Sequence, residues 1–105
     1  MKTITYNKLV RDRIPEIIEA SGKRAVTEIL SEEDYLKALD EKLTEELKEY
    51  YANHSLEELA DLLEVIYAVA KARGYSIEAL HALQKKKADE RGGFSEKLLL
   101  TEVID

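Results

Sequence analysis

Residues 32–72 read EEDYLKALDEKLTEELKEYYANHSLEELADLLEVIYAVAKA, and this stretch decides the fold. Leu36, Leu39, Leu43, Leu47 and Tyr50 recur at spacings of three and four, the signature of an amphipathic helix from about Glu32 to Ala52. Ser31 stands at the N-cap, and Glu32, Glu33 and Asp34 fill the first turn, where acids complement the helix dipole. Asn53-His54-Ser55 breaks the pattern. Ser55 caps the next helix with Glu58 at the capping-box position, and Arg73-Gly74 closes it. Leu59, Leu62, Leu63, Ile66, Val69 and Ala70 form its apolar face. Two such helices joined by so short a break predict an antiparallel hairpin.

Working outward, Ser76 caps a third helix through Ile77, Leu80 and Leu83 to about Arg91, where Gly92-Gly93 ends it. Upstream, Pro15 suits the first turn of a short helix over about Ile14–Ala20, because its missing N–H would be unpaired there anyway. Arg24–Leu30 and the tail Leu98–Ile104 are the two segments suited to short strands. The expectation is a single domain over residues 1–105, mainly α, an antiparallel helical bundle with short flanking strands. Val65 lies off the main stripe of its helix and Tyr67 further round, so that helix is apolar over much of its circumference. A 105-residue chain has little else to cover such a helix, which points to a bundle completed by a second copy.

Composition narrows the chemistry. A hydrophobic content of 45% suits a globular chain, and a net charge of -6 argues against a general nucleic-acid or membrane-surface binder. The absence of cysteine excludes disulfides and thiolate metal sites, and two histidines argue against zinc. Any metal site must then be built from carboxylates, which favours Mg²⁺, Mn²⁺ or Ca²⁺. The first residues, MKTITYNK, lack the apolar stretch of a signal peptide, and no apolar run reaches the ~20 residues of a membrane span, so the cytoplasm is the expected location.

Those carboxylates have a pattern. Glu46 and Glu49 are three residues apart, as are Glu58 and Asp61, and each spacing puts two side chains on one helix face. In an antiparallel hairpin folded about Asn53-His54, Glu46 lies level with Asp61 and Glu49 with Glu58, on rungs about 4.5 Å apart. Glu45 adds a fifth acid nearby. Like charges so close repel, and a hard divalent cation relieves the repulsion while keeping waters and phosphates in its shell. The same residues also fit a solvated helix face, with Glu58 serving only as the capping partner of Ser55.

Phosphate chemistry also needs cations. Lys8, Arg11 and Arg13 precede the first helix, and Lys85, Lys86, Lys87 and Arg91 end the third. Arg91 runs into Gly92-Gly93-Phe94, where glycine allows close backbone approach to a ligand. Lysines near a helix C-terminus also favour its dipole, a sufficient reason for Lys85–Lys87. Tyr6 and Phe94, beside the two basic clusters, are candidates to stack on a base, whereas Tyr50 continues a core stripe.

Glu45-Glu46-x-x-Glu49 followed by Glu58-x-x-Asp61 resembles the signature of the all-α, MazG-like nucleotide pyrophosphohydrolases, a superfamily that includes phosphoribosyl-ATP pyrophosphohydrolase of histidine biosynthesis. The flanks YNKLVRDRIP (6–15) and KADERGGF (87–94) resemble a compact branch described as house-cleaning NTP pyrophosphatases. The resemblance implies a helical bundle assembled as a homodimer or homotetramer. It implies Mg²⁺ held by Glu46, Glu49, Glu58 and Asp61, with Glu45 assisting or orienting water. It implies substrate contacts from Tyr6, Lys8, Arg11, Arg13, Lys87, Arg91 and Phe94. The implied reaction cleaves a nucleoside triphosphate between the α- and β-phosphates, giving a monophosphate and pyrophosphate. Two alternatives stand beside it: hydrolysis of phosphoribosyl-ATP, and a non-catalytic dimerisation or nucleotide-sensing module. The connection between the acidic motifs, Tyr50 to Glu57, is eight residues, shorter than the typical pattern, which bears on the base pocket.

Overall fold

The fold begins at a turn of two residues. In a computed structural model describing residues 2–105, α2 (Glu32–Asn53) and α3 (Leu56–Ala72) are separated only by His54 and Ser55. His54 adopts a left-handed conformation (φ 53°), and its N–H donates to the Tyr50 carbonyl at 2.7 Å, ending α2. The Ser55 hydroxyl then accepts the Glu58 N–H at 3.3 Å and starts α3. The same device starts the other long helices: Ser31 accepts from Asp34 ahead of α2, and Ser76 from Ala79 ahead of α4 (Ile77–Arg91). α3 ends in a Schellman turn, with Gly74 at φ 90° donating to Lys71 and Tyr75 donating to Ala70. The short α1 spans Ile14–Ala20 with Pro15 in its first turn. The chain is thus mainly α, an antiparallel helical hairpin with two further helices, and each helix lies within a residue or two of its expected bounds.

The expected flanking strands do not form. Among the described residues there is no strand: Arg24–Leu30 and Leu98–Ile104 are extended but unpaired, with Val26, Ile29 and Leu98 projecting into solvent. β-branched composition gave those segments strand character, but a strand needs a partner to satisfy its backbone, and neither segment meets one.

The core is the α2–α3 seam. Leu39 (3% exposed) and Val65 (8%) form it, and Ala70 of α3 is also buried. Val65 is a correction to the stripe read from sequence. On α3, Glu58, Asp61, Leu62, Val65, Val69 and Ala72 are partly or fully covered, while Leu59 and Leu63 remain substantially exposed and Leu56 is 82% exposed. α3 is apolar on more than one side, and its N-terminal half keeps Leu56, Leu59 and Leu63 uncovered within the chain. Arg73 braces its end to Asp40 of α2 at 3.3 Å. α4 packs sparsely on α3, joined by a Tyr67–His81 hydrogen bond of 3.0 Å, and it buries no residue. The chain exposes 9875 Å², whereas a compact monomer of this size exposes roughly 6,000 Å². Its radius of gyration is 18.6 Å, against about 13 Å for a compact domain of 100 residues. No helix of the described residues is long and apolar enough to cross a membrane.

This packing predicts unequal costs. Leu39→Ala should lower unfolding free energy by about 2–5 kcal/mol. Gly74→Ala should cost about 1–2 kcal/mol through its left-handed backbone, since a Cβ there meets nothing within 4 Å. Urea denaturation followed by circular dichroism measures both.

Candidate functional site

The seam that carries the core also carries acid. Towards the His54 turn, the α2-facing side of α3 passes from Val65 to Asp61 and Glu58, and α2 presents Glu46. One carboxylate oxygen from each of Glu46, Glu58 and Asp61 lies within 4.8 Å of the others. The Glu46 side chain is only 13% exposed, and Glu58 and Asp61 are half-buried. Helix periodicity is the cause: Glu58 and Asp61, three residues apart, share the face that continues into Val65, so packing of that face draws both acids into the seam.

Three cations surround the acids. The Arg11 guanidinium donates to Asp61 at 2.6 Å, and the Lys8 ammonium to Glu45 at 3.0 Å. Lys42, one turn before the acids on α2, reaches Glu45 at 3.4 Å and Glu46 at 3.5 Å. The carboxyls respond differently. The Lys8 hydrogen bond holds Glu45 below the ordinary carboxylate range, with Lys42 adding to the effect against partial desolvation. Glu58 is pushed up, first by loss of hydration in the seam and then by repulsion from Glu49, Asp61 and Glu46, against a 3.4 Å hydrogen bond from the Asn53 amide. Lys8 is raised through its hydrogen bond and charge pairing with Glu45. The two carboxyls are thus shifted in opposite directions, Glu45 down and Glu58 up.

The residues singled out in the sequence do not all converge. Glu46, Glu58 and Asp61 form the tight group. Glu49 is exposed and lies outside it, yet close enough to repel Glu58. Lys8 and Arg11 reach the acids, whereas Arg13 turns to its neighbour Glu16 at 3.4 Å. Tyr6 is exposed. Lys87, Arg91 and Phe94 line a different feature, an open and largely apolar groove along α4 with Leu80 and Leu83, where Phe94 is 98% exposed. Two participants were missed by the sequence reading. Lys42 was detectable from its spacing of three and four residues to Glu45 and Glu46, and Asn53 from its place at the helix end.

Three oxygen donors on two helices, ringed by cations, can hold a hard divalent ion or serve as a plain ion-pair network. No family model matches the chain. It is similar to an uncharacterized protein of Mycolicibacterium smegmatis, 56% identical over 45 residues, a match covering 43% of this chain and 46% of that protein. The matched stretch therefore spans about half the length of that relative. No solved structure matches.

The raised Glu58 makes a test of the site's electrostatics. A carboxyl whose folded pKa lies above its unfolded value of about 4.3 favours the fold at low pH, and that contribution is lost as pH rises through the folded value. Glu58→Gln should therefore raise the thermal midpoint of the metal-free protein near neutral pH. The gain should shrink towards zero as pH falls below the ordinary glutamate range, as read by calorimetry across pH.

Proposed function

We propose that the chain is a Mg²⁺-dependent nucleotide pyrophosphohydrolase of the MazG-like kind, hydrolysing nucleoside triphosphates to monophosphate and pyrophosphate and working as a homodimer or homotetramer. The observation that carries this reading is the convergence of Glu46, Glu58 and Asp61 from two helices, with oxygens within 4.8 Å of one another. The donor set fits the ion in kind, because Mg²⁺ is a hard cation that takes carboxylate oxygens and keeps room for water and phosphate.

When bound, Mg²⁺ would offset phosphate charge and polarise the reacting phosphoryl group. Glu46, Glu58 and Asp61 would hold it, with Glu49 at the rim. Glu45, kept ionised by Lys8, is the acceptor suited to orient an attacking water. Water adds to the α-phosphorus as its bond to the bridging oxygen breaks. Pyrophosphate leaves with that oxygen, and the proton of water passes to a carboxylate or to solvent. Lys8 and Arg11 are placed to take up charge on the phosphate chain. Lys87, Arg91 and Phe94, on the α4 groove, meet the nucleotide from a neighbouring copy. The uncovered side of α3 and the excess exposed surface support such an assembly.

A pyrophosphate-release assay over standard and modified triphosphates and phosphoribosyl-ATP, with Mg²⁺ and with chelator, tests the proposal. Turnover should require Mg²⁺, and Asp61→Asn or Glu46→Gln should lower it at least about a hundredfold without loss of helicity. Phosphoribosyl-ATP as the best substrate would move the assignment to that reaction. Full activity in Asp61→Asn would remove the metal assignment. No activity together with no Mg²⁺-dependent thermal stabilisation would favour the non-catalytic module.

A further inference from the structure

Residues 2–10 form no helix or strand, and the first turn of the chain begins only at Arg11, whose carbonyl accepts the Ile14 N–H. α1 follows, with no buried residue of its own. What ties this N-terminal segment to the hairpin by charge is a pair of contacts distant in sequence, Lys8–Glu45 and Arg11–Asp61. Both land on the acidic seam, and the second lands on one of the three converging carboxylates. Arg13, two residues on, is paired locally with Glu16. Arg11 and Lys8 keep 58% and 54% of their side chains in solvent, so these contacts are exposed ion pairs, which are weak and exchange partners readily.

We propose that the N-terminal segment is a built-in counter-ion strap: Arg11 pairs with Asp61, and a divalent cation entering the seam displaces it, freeing the guanidinium for a phosphate-bearing ligand. The inference rests on the metal-site reading above and adds an exchange to it. A guanidinium and a divalent ion on one carboxylate repel each other, and the ion of higher charge gains more from the same acids. Glu45, Glu46, Glu49, Glu58 and Asp61 outnumber Lys8, Arg11 and Lys42, so the seam keeps a negative excess with the strap in place and draws a cation in. Release of Arg11 then couples the two halves of ligand recognition, because the residue that leaves the acid is one able to bind phosphate bidentately.

Mg²⁺ titration by calorimetry and limited trypsin digestion, both on the full chain, test the exchange. Arg11→Ala should bind Mg²⁺ about fivefold more tightly than wild type, the gain from removing a competing exposed pair. Arg13→Ala, which removes the same charge two residues away, should change affinity little. Mg²⁺ should speed tryptic cleavage after Arg11 while leaving cleavage after Arg24 unchanged. If wild type binds Mg²⁺ and Asp61→Asn does not, but Arg11→Ala matches Arg13→Ala, the strap is overturned and the metal site stands. Slower cleavage after Arg11 on adding Mg²⁺ would overturn it equally. If Mg²⁺ fails to bind wild type at all, the strap and the metal site fall together.

Discussion

The packing of α3 against α2 is the interaction on which everything else in this chain depends. It supplies the little core there is, around Leu39 and Val65, and it brings carboxylates from two helices into one seam. Hydrophobic burial and like-charge repulsion therefore act along the same line of contact. Where the seam is apolar, packing tightens it. Towards the His54 turn the acids oppose closure, and Lys8, Arg11 and Lys42 offset that opposition. The acids are held near one another by the stability of the hydrophobic end, an arrangement in which the core works against the site's own electrostatics.

The remaining helices are attached rather than embedded. α4 touches α3 through Tyr67 and His81, and α1 follows a segment secured by charge. A chain with 9875 Å² of exposed surface and Leu56, Leu59 and Leu63 on an uncovered helix face has an architecture with room for another body. The groove of Leu80, Leu83 and Phe94 along α4 is a second uncovered apolar surface. Both surfaces flank the hairpin and leave the acid seam itself formed within one chain.

Much of this was legible in the residues. Three serines at N-caps and the spacing of leucines fix the long helices to within a residue or two, because capping and periodicity are local effects. The hairpin register placed Glu46 beside Asp61, since so short a connection leaves few ways to pair the helices. What was not legible depended on neighbours. Val65 sits off the obvious stripe of α3 yet is among the most buried residues, because a helix apolar on several sides does not disclose which side will be used. Glu49 shared the spacing of Glu46 but lies on the solvent edge of the seam. The two would-be strands have the composition and lack the partner. The Arg11–Asp61 contact, 50 residues apart in sequence, follows from no periodicity.

The turn between α2 and α3 sets a limit on how this chain can vary. Surface connections ordinarily tolerate insertion and loss. Here only His54 and Ser55 stand outside the helices, one ending α2 in a left-handed conformation and the other starting α3 through its hydroxyl. Loss of either residue would have to unwind a helix end or rotate α3 by about 100° around its axis. Such a rotation would carry Glu58 and Asp61 out of line with Glu46 even if an apolar face of α3 still met α2. The reading frame of the hairpin, rather than the identity of any one acid, is thus the property most sensitive to a change in length.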